Sequence, residues 1–370
     1  MHVEVLLYIY GAVCVSMIVF NIACAMLFRN RDDRTYRRSR AVEKKVREQF
    51  DRLKTGGAVE ERHLRYLDRI LPRTWGLMAF DACLERLREE QPEETGAYLR
   101  AIDPGLLRLA KAYLKKEAVQ SAYFVFILSK YADGRWAESE ALMDVLRAFL
   151  KKDNLYCKQN AMRALYRLGD EAQVLEGIRI LDEGHGFFHG KILSDGLLTF
   201  AGDSDSLIAL LWQALDSFSV PTQVALLNYI RFQSGAYQRE MLDILNDDRQ
   251  DSELRYAAIR YLGKYPYPAA RPALLFHCAD TASIDWQYAA LSASALAGYP
   301  GEDTMNTLKK ALTSQNWYIR RNASASLDAL GADAEDLAEI LNGEDRYARE
   351  MMAYRLAHRL PSEEREAVLA

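Results

Sequence analysis

Asn154-Leu155-Tyr156-Cys157-Lys158-Gln159-Asn160-Ala161 returns as Asn316-Trp317-Tyr318-Ile319-Arg320-Arg321-Asn322-Ala323, a second copy of one octet far downstream of the first. Each opens on an asparagine, whose side-chain oxygen suits the first turn of a helix. The Tyr, second Asn and Ala positions are identical, and the Lys/Arg position keeps its charge. So close a match at such a distance points to a shorter period between the copies. Cys157, Gly190, Thr222, Leu254, Trp286 and Ile319 supply it, with a nearly constant step of about 32 residues.

Three columns follow from these starting positions. Four residues on stand Ala161, Ser194, Leu226, Ala258, Ala290 and Ala323, mostly small. Eight on stand Leu165, Leu198, Ile230, Leu262, Ser294 and Leu327, mostly large aliphatics. Residues i, i+4 and i+8 share one face of a helix, so both columns predict the buried side of a first helix. Twelve on stand Gly169, Gly202, Ser234, Pro266, Gly298 and Gly331. Glycine ends a helix through left-handed geometry and proline through its missing N–H. A second apolar helix follows each stop, as in Val174-Leu175 with Ile178 and Ile180-Leu181, or Leu207-Ile208 with Leu210-Leu211.

The recurring unit is thus a helix, a turn and a helix. It resembles the HEAT repeat, and in particular the short HEAT-like repeats of phycobilisome lyases. The resemblance implies an all-α chain, an α-solenoid of the HEAT/armadillo-like superhelix type, with eight or nine helix pairs. It covers 153–345 best. Divergent helical repeats are expected over 58–152, as pairs at 58–90, 91–116 and 117–151 punctuated by Pro72, Pro104 and Gly134. A last helix at 346–359 begins a capping segment, 346–370, of the kind repeat arrays need.

Positions 1–57 read differently. Val5 to Phe28 is an unbroken run without a charge. At about 1.5 Å per residue it is long enough for the roughly 30 Å of a bilayer core. A transmembrane anchor at 1–28 is therefore expected. Arg29, Arg31, Arg34, Arg37, Arg38 and Arg40 crowd its C-terminal side, which by the positive-inside rule places the amino terminus outside and the solenoid in the cytoplasm. Within a basic segment at 29–57, Val42, Val46, Phe50 and Leu53 form the apolar stripe of an amphipathic helix, and Thr55-Gly56-Gly57 forms a hinge.

Charge excludes one class of partner. Positions 1–54 carry 11 Lys or Arg against 6 Asp or Glu, which leaves 37 against 46 for the body, a balance of -9. A nucleic-acid binder needs surplus positive charge to displace counterions, and none is available. The five cysteines include no Cys-x-x-Cys pair and are expected to be reduced, with Cys83, Cys157 and Cys278 as small core residues.

Candidates for chemistry are few. His185 and His189 stand four apart in Gly184-His185-Gly186-Phe187-Phe188-His189-Gly190, a spacing at which two histidines could share a metal on a helix. The glycines argue for a loop there, and no third ligand is evident. His63, His277 and His358 stand alone. No phosphate-cradling loop, nucleophile elbow or His-Glu-x-x-His pattern occurs. No catalytic residue, metal or cofactor is expected, and the chain reads as a non-enzyme.

The 21 Tyr and 5 Trp are the better signal, since such residues dominate interface energetics. Trp286, Trp317 and Tyr318 are assigned to the core. Tyr256, Tyr288 and Arg321, each two residues after a starting position, form an expected outward row for partner binding. The expectation is a membrane-tethered scaffold or adaptor gripping a membrane-associated protein partner, as in bacterial envelope assembly or secretion. The resemblance also implies an alternative, a ligand-binding lyase-like or chaperone protein of the bilin-lyase type.

Overall fold

The protein is described by a computed structural model over residues 2–131, 139–184 and 188–359, with side chains described except at 2–4, 6–7, 25–35, 104 and 359. It is all-α, with no strand among the described residues. Two compact units divide it, Met1–Gly186 and Phe187–Ala370.

The first unit holds α1 (His2–Lys54), α2 (Glu61–Ile70), α3 (Thr74–Glu90), α4 (Pro92–Ala101), α5 (Asp103–Tyr113), α6 (Ala118–Tyr131), α7 (Glu140–Leu150), α8 (Leu155–Leu168) and α9 (Glu171–Glu183). The second holds α10 (Gly190–Leu197), α11 (Ser204–Gln213), α12 (Val220–Gln233), α13 (Gln238–Asn246), α14 (Ser252–Lys264), α15 (Arg271–Ala279), α16 (Trp286–Ala295), α17 (Glu302–Ala311), α18 (Trp317–Ala329), α19 (Ala338–Leu341) and α20 (Arg346–Arg359). From α2 onward the described helices make nine pairs and a final single helix. Gly134 and residues 360–370 lie outside the described residues.

The repeated octet does the same two jobs in both copies. Asn154 Oδ1 accepts from the Cys157 N–H at 2.9 Å, and Asn316 Oδ1 accepts from the Tyr318 N–H at 2.9 Å, so each caps its helix. Asn160 Nδ2 donates to the Ala122 carbonyl at 3.1 Å, and Asn322 Nδ2 donates to the Ala290 carbonyl at 2.7 Å. Each thereby ties its helix to the first helix of the preceding pair. In the second unit α10, α12, α14, α16, α18 and α20 pack in succession, each on the next. The architecture is repeat-like.

The small column is buried at every position, from Ala161 through Ser194 to Ala323. The large column is not. Leu198 is exposed because α10 ends at Leu197 and turns Leu193 and Leu197 inward instead, one residue earlier than the period implies. Ser294 is exposed in α16, where Ala289, Ala293 and Leu296 fill the space. The stops also act in two ways. Gly331 has φ +81°, the left-handed conformation, whereas Gly169 is extended, and a Cβ there would stand 2.8 Å from the Leu165 carbonyl oxygen.

The membrane expectation is overturned. Among the described residues no helix is long and apolar enough to cross a membrane. The uncharged run at 5–28 is not a separate element, because α1 continues through it without a break to Lys54. The single-pass address, the outside amino terminus and the cytoplasmic placement inferred from that run fall with it. Arg29, Arg31 and Arg34 lie outside the residues whose side chains are described.

What α1 does show is a docked second half. Val42, Val46 and Phe50 are buried against α3 and α4, as their spacing predicts, and Leu53 is half-buried. Gly56, at φ +78°, ends the helix, with the Gly57 N–H on the Arg52 carbonyl at 2.9 Å.

His63 on α2 is buried, its Nε2 within 2.7 Å of the Tyr98 hydroxyl. Burial, reinforced by the charge of Lys45 and partly opposed by Glu60, pushes its pKa from 6.5 down to about 4. Between those values the unfolded chain binds a proton that the folded chain refuses, so stability is lost as pH falls through that window. His63→Gln should remove this dependence. In urea denaturation at pH 7 and pH 5 the wild type should lose about 2 kcal/mol more than the variant; equal losses would show that His63 is not held neutral.

Candidate partner-binding surface

Two first helices of the second unit, α16 and α18, open on tryptophan directly after the capping position, before the buried stripe begins. The Trp286 ring stacks on Tyr318 of α18, centroids 5.1 Å apart at 16°. Tyr318 in turn meets Trp317 edge-on at 5.2 Å and 80°. The Arg321 guanidinium lies 5.4 Å from the Trp317 ring. Beside it, Arg320 donates to Asp345 at 2.9 Å and lies 5.6 Å from the Tyr347 ring. The Arg320 hydrogen bond, then those from the Ala348 and Tyr347 N–H groups, hold the Asp345 carboxyl below its usual range.

This ladder is open to solvent. Trp317 is 56% exposed, Tyr318 52% and Tyr347 70%. The assignment of Trp317 and Tyr318 to the core is thus corrected. A helix pattern fixes which residues share a face, but Trp317 and Tyr318 stand at the helix start, where the neighbouring pair offers them only an edge. Large exposed aromatic groups next to an arginine have the composition of interface hot spots, since they can be desolvated at low entropic cost.

Tyr256 and Tyr288 are brought together, centroids 4.7 Å apart at 66°, while Arg321 sits over Trp317 instead. Tyr288 is half-buried, stacked on His277 of α15 at 4.9 Å, with the Arg255 guanidinium 5.0 Å away. Tyr256 is buried. Arg255 is itself held by Asp248 at 2.9 Å and by the Leu245 carbonyl at 2.9 Å. Burial, then the Arg255 charge, lowers the His277 pKa, with Asp248 and Asp280 opposing. The cluster satisfies itself, so it stiffens the pair behind the exposed ladder.

The histidine pair is only partly in view. His185 lies outside the described residues. His189 caps α10, its Nδ1 accepting from the Lys191 N–H at 3.1 Å. No group of three or more His, Cys, Asp or Glu that could hold a metal occurs among the described residues. Cys83, Cys157 and Cys278 are buried free thiols, each pushed up by burial, Cys157 to about 11. They are inert core residues, as expected. No protein-family model matches the chain, and no curated protein matches it.

Proposed function

We propose that the chain is a helical-repeat scaffold, an α-solenoid of HEAT-like pairs, that binds a protein partner through the aromatic and arginine ladder of its second unit. The observation that carries the reading is the stack of Trp286 on Tyr318, with Trp317 and Arg321 beside it, held open to solvent. Exposing a surface of this make-up to water costs free energy, which docking on a complementary face releases. Tyr256 and Tyr288 support it from behind, and Arg321 supplies a charge for an acidic group on the partner.

Quantitative crosslinking and affinity capture with the full chain tests the proposal. A partner recovered with the wild type should fall by about tenfold or more with Trp317→Ala, and further with Arg321→Glu added. Thermal denaturation should be nearly unchanged, because both side chains stand mostly in solvent. A partner retained undiminished by the double variant would refute the assignment of this surface.

A further inference from the structure

Arg231, near the C-terminal end of α12, is half-buried, and its Nε is buried without a hydrogen-bond partner. The Phe232 ring lies 4.9 Å from its guanidinium carbon. No carboxylate among the described residues forms an ion pair with it. Burial, and then the charge of Arg260, hold its pKa below the usual arginine value. Lys264 Nζ donates to the Arg231 carbonyl at 3.0 Å and so fastens the end of α12 to α14. A guanidinium cannot escape this by deprotonating at neutral pH, so the buried Nε–H is a donor left without an acceptor.

Arg231 lines a groove of about 530 Å³ between α10 and α12. Pro221, Val224 and Phe232 give part of the groove an apolar lining, and Lys191 and Asn228 give part of it a polar one. We infer that this groove binds a carboxylate-bearing extended peptide segment of the protein partner, the carboxylate on Arg231 and an adjoining apolar side chain against Phe232. The inference rests on the proposed protein-binding role and names a second contact for it. A planar guanidinium pairs with a carboxylate through two parallel hydrogen bonds. Two carboxylates also line the groove, Asp195, 3.2 Å from Lys191 Nζ, and Glu253. They repel a phosphate dianion more strongly than a single carboxylate, and with Lys191 held by Asp195 the Arg231 guanidinium is the cation left for the ligand.

Titration calorimetry on the full chain tests this with four probes: Ac-Val-Leu-Ala with a free C-terminal carboxylate, the same tripeptide amidated, Ac-Val-Glu-Leu-amide, and inorganic phosphate. At least one carboxylate peptide should bind about tenfold more tightly than the amidated control. The terminal and side-chain acids then identify which carboxylate the groove prefers. Arg231→Met should abolish that difference, and it should leave the melting temperature of the free chain unchanged or raised, because a buried N–H without an acceptor is removed. Equal binding of acid and amide, phosphate binding as tight as the peptides, or a markedly lowered melting temperature for Arg231→Met would each overturn the inference. The Trp317 and Arg321 experiment reads a different surface, so either proposal can fail alone.

Discussion

Glu43→Gln is expected to destabilise the first unit by about 3 kcal/mol, the largest loss from any single charge in it. The Glu43 side chain is only 5% exposed. Oε1 accepts from Arg47 Nη2 at 2.9 Å and Nε at 3.1 Å, while Oε2 accepts from Arg86 Nη2 at 3.0 Å and Nε at 3.2 Å. Arg40 adds a longer contact at 3.3 Å. Arg86 also donates to Ser39 at 2.8 Å, so one carboxylate fastens α1 to α3 through charge-assisted bonds. The amide keeps the shape but loses the charge, and it turns an NH2 group toward guanidinium donors. A buried pair that loses one partner costs about 3 to 5 kcal/mol. Arg47 and Arg86 keep part of their surface in water, which sets the lower end of that range.

The pH dependence provides the internal check. Burial raises the Glu43 pKa, but hydrogen bonds from Arg47 and Arg86, with the charges of Arg40 and Arg86, more than offset it and leave the carboxyl below 4.5. A depressed carboxyl contributes stability above its unfolded value and loses it as pH falls through the folded one. The gap between wild type and variant, read as urea midpoints, should therefore be full at pH 7 and narrow below pH 4.5. Midpoints that coincide at pH 7 would show that the carboxylate does not hold the helices together.

The fold was legible where one residue type meets one steric demand. Ala161, Ala258 and Ala323 mark places where neighbouring first helices approach closely, and their even recurrence along the chain reveals them. Val42, Val46 and Phe50 likewise announce their burial through helical spacing. Periodicity failed where helix length varied: α10 ends early, so Leu198 faces solvent and Leu197 takes the core. It also failed at the cap. The sequence shows Trp317 and Tyr318 next to a capping asparagine, but whether a neighbour covers them depends on the following pair. Arg231 carried no signal either, because its missing partner is a property of three helices together. The run at 5–28 was read from its lack of charge alone, and among the described residues no helix proves long and apolar enough to cross a membrane.

Tyr261→Phe and Tyr299→Phe, combined, are expected to destabilise the second unit by about 4 kcal/mol. The two tyrosines repeat one device. Tyr261 Oη donates to the Ser234 carbonyl at 2.9 Å and accepts from the Tyr237 N–H at 2.9 Å. Tyr299 Oη donates to the Leu262 carbonyl at 2.9 Å and accepts from the Tyr267 N–H at 3.0 Å. In both cases a hydroxyl from one pair plugs the turn between the two helices of the pair before it. Both side chains are buried, so each deletion leaves a peptide N–H and a carbonyl unpaired with little water to replace the hydroxyl. An orphaned buried group costs about 1 to 3 kcal/mol, and the loss should be larger at Tyr299, where the carbonyl bond is fully buried. The turns are separate, so the two effects should nearly add. Thr304→Val supplies the contrast: its hydroxyl is buried with no partner, so its removal should be neutral or stabilising. In a repeat array each interface stabilises only its neighbours, so the double variant should also broaden the unfolding transition by letting pairs separate independently. If urea denaturation instead shows the tyrosine variants as stable as Thr304→Val, then apolar packing alone holds consecutive pairs together and the hydroxyls merely fill space.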